Sequence, residues 1–515
     1  MAIPQMEADQ QPPAPRLVAV EPTPPPAPRA HVPNARHFVR SMVRFGLAQP
    51  ITWASSTVLA VLLPRFLGDA NYGRLGFALG LTLIAGQLAN LGVSVYLTKE
   101  VARAPERAGE LVVSGLCMRL PLSVAAALVA VAVVTVGPSD ETTRTVVLVL
   151  CLGILLDAIR AVVQGTLQGL HRMTTLAAYP AVSGAIYAGA ATLALTKGSG
   201  VVAVAVAYVT GQTIATLICG VALWRAVPHV PRPTWRVIRL LLIGGLPFFV
   251  WQAALAVYGQ IDSILLTYLT NDTAVVGWYV AAYRVVTLPI FVPTVLMTLV
   301  FPALSAAASD AARFNGIARR SVQVVLLATM PMALGTMLLP DRIVQALHWS
   351  ESFQHSILPI VLLAPSFPLV AVDMMIGTAL NARDRQRQWA LTGVAAAVLN
   401  PALNLFLIPY TQAHFGNGAI GAATVTTLTE LFMMVVGLVL MPRGVFDRAT
   451  AGWALRCLVA CLVMAAVVVL LRGAFLPIPV VVGAMTYVAA SLSLGTLSLS
   501  DIRTSLRHVV ARGSS

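Results

Sequence analysis

Residues 145–168 read TVVLVLCLGILLDAIRAVVQGTLQ. As a helix rising 1.5 Å per residue, this 24-residue segment is about 36 Å long. That is enough to cross a hydrocarbon core about 30 Å thick. Polar residues precede it (Gly137-Pro-Ser-Asp-Glu-Thr-Thr), and Gly165, Gln168 and the following His171-Arg172 mark its other end. A helix buried in lipid is apolar all round, so length and polar breaks identify it, not periodicity. Two charges, Asp157 and Arg160, interrupt the apolar run from within.

The rest of the chain repeats this pattern. Of its 515 residues 58% are hydrophobic and 10% charged, against roughly 45–50% and 25% in an ordinary soluble domain. A soluble enzyme, a nucleic-acid binder and a disulfide-stapled secreted module are all excluded on that ground. Applied throughout, the same criterion predicts fourteen helices: 45–63, 75–97, 111–136, 145–168, 174–196, 201–223, 240–269, 275–303, 320–345, 356–381, 389–409, 418–441, 453–471 and 476–499. The expected fold is an all-α polytopic membrane protein. Residues 1–40 precede the helices as a Pro-rich tail, read as disordered or polyproline-like and without the apolar h-region of a signal peptide. Residues 501–515 form a second tail. The five cysteines lie in apolar runs without a CxxC pair and read as small hydrophobic fillers.

The net charge of +14 becomes topology. With a cytoplasmic N-terminus, the fourteen helices place 25 of the 34 Lys and Arg residues on the inner side and 6 on the outer. This is the positive-inside bias, and it puts both termini in the cytoplasm. One missed helix would exchange the sides of every later loop. Trp224, Trp235, Trp389 and Trp453 near inner ends, with Trp278 and Trp349 near outer ends, are expected to form an aromatic belt.

The chain also repeats itself. Gly165-Thr-Leu-Gln matches Gly377-Thr-Ala-Leu, Gly198-Ser-Gly matches Gly416-Asn-Gly, and Gly73 matches Gly277, at offsets of 212, 218 and 204. These matches imply two parallel six-helix lobes, 41–230 and 231–445, followed by a helix pair at 446–500. Alternating-access transporters commonly have such halves, with the substrate site between them near mid-membrane.

Several motifs are similar to those of a known family. Leu399-Asn-Pro-Ala-Leu-Asn-Leu-Phe-Leu-Ile-Pro, Gly418-Ala-Ile-Gly-Ala-Ala with Glu430, Ile261-Asp262, Val276-Gly-Trp-Tyr-Val-Ala-Ala-Tyr-Arg and Tyr96-Leu-Thr-Lys-Glu-Val-Ala-Arg are the residues concerned. They resemble the polysaccharide-transport branch of the multidrug/oligosaccharidyl-lipid/polysaccharide (MOP) exporter superfamily, over roughly residues 40–500. The resemblance implies fourteen helices in two lobes. It also implies an activity like that of the Wzx-type flippases, which move undecaprenyl-pyrophosphate-linked oligosaccharides to the outer leaflet of the bacterial inner membrane. Membrane lipids, a polysaccharide polymerase and glycosyltransferases are the expected partners. No nucleic acid, cofactor or metal is expected. A cation-coupled multidrug antiporter and a lipid II flippase for peptidoglycan are the alternatives. An intramembrane glycosyltransferase is disfavoured by the shortness of the outer loops, and the absence of a P-loop excludes nucleotide hydrolysis by the chain itself.

Seven charges fall inside the helices, where each costs about 2.5–3.5 kcal/mol unless paired or wet. Arg284 lies about 14 Å deep from the outer side and is the first candidate for binding a pyrophosphate bidentately. Asp262 lies at a similar depth, about 12 Å, so an Arg284–Asp262 pair is the competing structural reading. Arg119 and Arg160, about 12 Å from inner ends, are further candidates for the pyrophosphate. Arg160 can equally pair with Asp157, three residues earlier on its own helix, and Arg119 can snorkel to the surface. Asp373 and Glu430 are candidates for coupling to a proton or Na⁺; Glu430 can instead serve nearby Thr426, Thr427 or Thr429. Pro247, Pro289, Pro293, Pro331, Pro365, Pro368 and Pro401 are expected to bend helices.

Overall fold

The computed structural model describes residues 35–137, 139–227 and 231–497. The expected C-terminal tail and most of the Pro-rich tail lie outside these residues. Helix begins at Ala35, inside the stretch expected as tail. The described residues contain no strand.

Among the described residues, eleven helices are long and apolar enough to cross a membrane, and the chain is a multi-pass membrane protein. The first, Gln49–Asn90, turns back on itself at Gly68, whose φ of 71° suits a residue without a Cβ. It therefore forms two spans, 49–67 and 69–90. With the bent pair Glu351–Leu363 and Ser366–Ala382 counted as one, and with the shorter apolar helix Pro477–Ser493, which at 17 residues falls short of a full span, the described residues hold fourteen apolar segments, numbered below as spans. The second span ends earlier than predicted. Leu91 and Gly92 both take positive φ, and Val93–Arg103 restarts as a separate helix. Asp140, Asp272, Asp310, Asn417 and Asp447 each cap a helix by accepting a bond from a first-turn amide. Of the seven prolines, Pro289 sits in a 3₁₀ turn that interrupts the eighth span, and Pro365 sits at the 44° bend of the tenth.

The hydrophobic core is divided in a way that shapes the molecule. At the arginine-poor end, one cluster joins residues of both halves: Leu63, Tyr72 and Phe77 pack with Val275, Trp278, Trp349 and Phe353. At the arginine-rich end there are two smaller cores. One is built around Leu97, Leu111 and Val162, the other around Phe314, Met375 and Trp389. The halves are fused at the arginine-poor end, and at the arginine-rich end Val237 and Leu241 of the second half still pack into the Leu97 core, where a Cβ on Gly92 would strike the Gly245 carbonyl.

The fused end is a close backbone junction. A Cβ on Gly73 would strike the Thr273 carbonyl, and one on Gly277 would strike the Asp69 carbonyl. The offset of 204 relates Gly73 to Gly277 and Asp69 to Thr273, so the junction is itself two-fold. Trp278 Nε1 donates to Asp69 at 3.0 Å, Trp349 Nε1 donates to the Val61 carbonyl at 3.2 Å, and Trp278 stacks on His355. These bonds correct the expected belt. Trp224 and Trp235 are exposed, but Trp278, Trp349, Trp389 and Trp453 are buried. Proximity to a helix end fixes height in the membrane, not which side of the helix faces lipid. Cys151, Cys219, Cys457 and Cys461 are buried without a disulfide, and Cys117 is exposed.

Candidate substrate cavity

A cavity of about 900 Å³ lies mainly within the first half. The first two spans form one wall, with Thr52, Ser55, Ser56, Tyr72 and Gly76; the fourth, fifth and sixth bring Arg160, Gln164, Gln168, Tyr179, Tyr187, Tyr208 and Gln212; Arg284 closes it from the eighth. Its lining holds two arginines and no carboxylate.

The two arginines are held differently. Arg160 pairs with Asp157, donates to Gln164 Oε1 at 2.7 Å and lies over the Tyr179 ring at 5.6 Å. Tyr179 in turn donates to Gln212, whose amide donates to Tyr208 at 3.0 Å. Arg284 has no carboxylate within ion-pair distance among the described residues and stands beside the Tyr72 hydroxyl.

The predicted Arg284–Asp262 pair does not form. Asp262 is buried in the second half of the molecule, where Tyr279, Thr426 at 3.0 Å and Asn404 at 2.7 Å donate to its oxygens. Equal depth placed the two residues at one height, and both line one small pocket, but the oxygens of Asp262 are taken up by these donors and no ion pair with Arg284 forms. Arg119 also departs from expectation. It neither lines the cavity nor snorkels. Its side chain is 0% exposed and, among the described residues, its nitrogens have no hydrogen-bond partner and its one carboxylate within ion-pair distance is Asp157 at 3.6 Å. Asp157 thus stands between a buried arginine and a cavity arginine.

Asp373 and Glu430 meet as a buried carboxyl pair, as neither was predicted to do. Tyr258 donates to Glu430, while Thr426, Thr427 and Thr429 bond elsewhere: to Asp262, to the Leu362 carbonyl and to the Val425 carbonyl. The expectation that these threonines serve Glu430 is therefore corrected. Four cavity tyrosines and the donors around Asp262 went unpredicted. Asn400 and Asn404, one helical turn apart, were visible in the Leu399-Asn-Pro-Ala-Leu-Asn motif; the tyrosines carried no spacing signal.

With this geometry in hand, comparison with known proteins is informative. Residues 38–308, more than half the chain, match the family described as polysaccharide biosynthesis protein. The chain belongs to this family. A probable flippase, AglR, of Haloferax volcanii is 27% identical over 193 residues, which cover 36% of this chain and 39% of that protein. The chain therefore spans about two fifths of the length of that curated relative. Among solved structures, the lipid II flippase MurJ in an inward closed conformation is similar with a TM-score of 0.74 at 16% identity, covering 87% of this chain and 98% of that one. An inward-facing multidrug resistance MATE transporter of the MOP superfamily gives 0.59 at 16% identity, covering 78% and 97%. A MOP superfamily transporter from Pyrococcus furiosus, described as having a binding pocket of reversed polarity, gives 0.54 at 16% identity, covering 82% and 96%. These likenesses establish the fold. The relatives and fold neighbours are flippases and transporters, not enzymes.

Proposed function

We propose that the protein is a flippase that carries an undecaprenyl-pyrophosphate-linked oligosaccharide from the cytoplasmic to the outer leaflet of the bacterial inner membrane, for surface polysaccharide synthesis. The observation that carries the reading is the charge of the cavity: Arg160 and Arg284 with no lining carboxylate. Planar guanidinium groups bind phosphate oxygens bidentately, and a low-dielectric cavity strengthens the contact. A pump for cationic drugs calls for the opposite polarity.

The arginine-rich end, taken as cytoplasmic on the loop charges, is the side where such lipids are assembled and the headgroup would enter. The two-fold junction at the other end is the element that would part to release it. Asp373 and Glu430 are the groups we assign to coupling with a proton or Na⁺. An inside-negative potential adds about 2.3 kcal/mol per headgroup charge per 100 mV in the outward direction. A polymerase and glycosyltransferases are the proposed functional partners.

Deletion of the gene in its host tests the proposal. Loss of a surface glycan with unchanged drug susceptibility is expected. Increased sensitivity to cationic drugs with the glycan intact would support the antiporter, and lethality through loss of peptidoglycan would support lipid II transport.

A further inference from the structure

A second chamber of about 860 Å³ lies beside the arginine cavity, towards the arginine-rich end. Its lining differs in kind. Gln87, Gln252, Gln260, Asn381 and Gln386 supply amides, Trp251 and Trp389 supply aromatic faces, and Arg387 is the one charged group. The two chambers adjoin. Leu83 lines both, and a small pocket that also touches Leu83 is lined by Gln260, Asp262 and Arg284.

The amides have hydrogen-bonding capacity left over. Asn90 donates to the Gln252 carbonyl oxygen at 3.1 Å and to that of Gln87 at 3.4 Å, which leaves both terminal NH₂ groups as donors. Gln260, ten residues before the end of the helix Trp235–Thr270, makes no hydrogen bond with the described residues. An unsatisfied amide at that depth is costly unless water or a ligand meets it. Trp251 is seated against Gly393, where a Cβ would collide with the ring, so its orientation is fixed by backbone. A rigid aromatic face beside several planar amides is the surface that a pyranose needs. The ring C–H groups stack on the aromatic, and the hydroxyls exchange bonds with the amides. The volume falls in the range of ligand pockets, about 300–1,000 Å³.

We infer that this chamber is a saccharide subsite, in which the Trp251 face and the Gln87, Gln252 and Gln260 amides hold the sugars while Arg160 and Arg284 hold the pyrophosphate. The inference rests on the proposed function and divides its substrate between two chambers. With Arg387 and no carboxylate in its lining, the chamber suits neutral or acidic sugars.

The test is photo-crosslinking in host cells with p-benzoylphenylalanine placed at Gln252, in the amide chamber, or at Tyr187, in the arginine cavity. Adducts on the purified full-length protein are treated with mild acid, which cleaves the pyrophosphate, and then weighed by mass spectrometry. Sugar masses retained on the Gln252 position are expected. Lipid-linked glycan captured from Tyr187, with no sugar retained at Gln252, would overturn the subsite and leave the flippase reading standing. Capture of no lipid-linked glycan at either position would overturn both. A second arm compares Trp251→Leu with Trp251→Phe. Export is expected to fall about tenfold in the first and to be largely kept in the second. Equal export in both and in wild type would contradict the stacking role.

Discussion

Asp157→Asn is the most informative perturbation of the fold's interior. The change keeps the shape of the side chain and removes the charge that faces two guanidinium groups. Arg119 is the critical partner. It is 0% exposed, and Asp157 at 3.6 Å is its only carboxylate within ion-pair distance among the described residues. At that separation an effective dielectric constant of about 20 gives an attraction of about 5 kcal/mol. Asp157 is about a quarter exposed, which weakens this attraction. Breaking a buried pair by removing one partner costs about 3–5 kcal/mol, and the lower end of that range applies here. Replacing Arg119 as well should recover most of the loss, because an apolar side chain of similar volume in place of a buried ion is often neutral or stabilising. The assay is a double-mutant cycle with Asp157→Asn and Arg119→Met, read by denaturant titration of the detergent-solubilised protein. The expected coupling is about 2–3 kcal/mol, with the double variant more stable than Asp157→Asn alone. The reasoning is refuted if Asp157→Asn is as stable as wild type, or if Arg119→Met changes stability equally in both backgrounds.

Three further outcomes are expected. Trp278→Phe removes the donor to Asp69 across the two halves and should weaken the closed junction by about 1 kcal/mol, roughly fivefold in the ratio of states; cysteine labelling of the cavity from the outer face should rise accordingly. Gly277→Val puts side-chain atoms where the Asp69 carbonyl lies, so it should force the second and eighth spans apart and reduce export, while Gly316→Ala, where a Cβ meets nothing, should leave export unchanged. Asp140, outside the membrane spans, is pushed up by partial burial, but the Thr143 hydroxyl and amide and Arg74 at 2.7 Å outweigh this and hold its carboxyl below the ordinary range. Its stabilising contribution is therefore present above about pH 4 and lost as the pH falls through its lowered value. Asp140→Ala should cost about 1 kcal/mol at pH 7 and progressively less in acid, as read by thermal unfolding.

Much of the fold was legible because insertion in lipid imposes a crude code. Twenty apolar residues and a polar break suffice to mark a span, and Gly68, Pro365 and the helix caps only refine the ends. The repeated glycines were legible too, and the structure gives Gly73 and Gly277 a physical reason: two backbones touch there. The azimuth of each side chain was not legible. A helix that is apolar on every side carries no moment to say which face turns inward. Depth arithmetic therefore paired Arg284 with Asp262, whose oxygens are taken by Tyr279, Asn404 and Thr426, and set Arg119 beside Arg160 in a cavity that only Arg160 reaches. The Asp373–Glu430 pairing and the cavity tyrosines depend on how spans far apart in sequence are rotated against each other.

The central claim is that the unpaired guanidinium of Arg284 receives the pyrophosphate of a lipid-linked glycan. Its most direct test is transbilayer movement of an undecaprenyl-pyrophosphate-linked oligosaccharide in proteoliposomes containing wild type, Arg284→Lys or Arg284→Ala. The account predicts movement with wild type, slower movement with lysine, which keeps the charge but loses the bidentate fork, and none above empty liposomes with alanine. Movement by Arg284→Ala at the wild-type rate would contradict it.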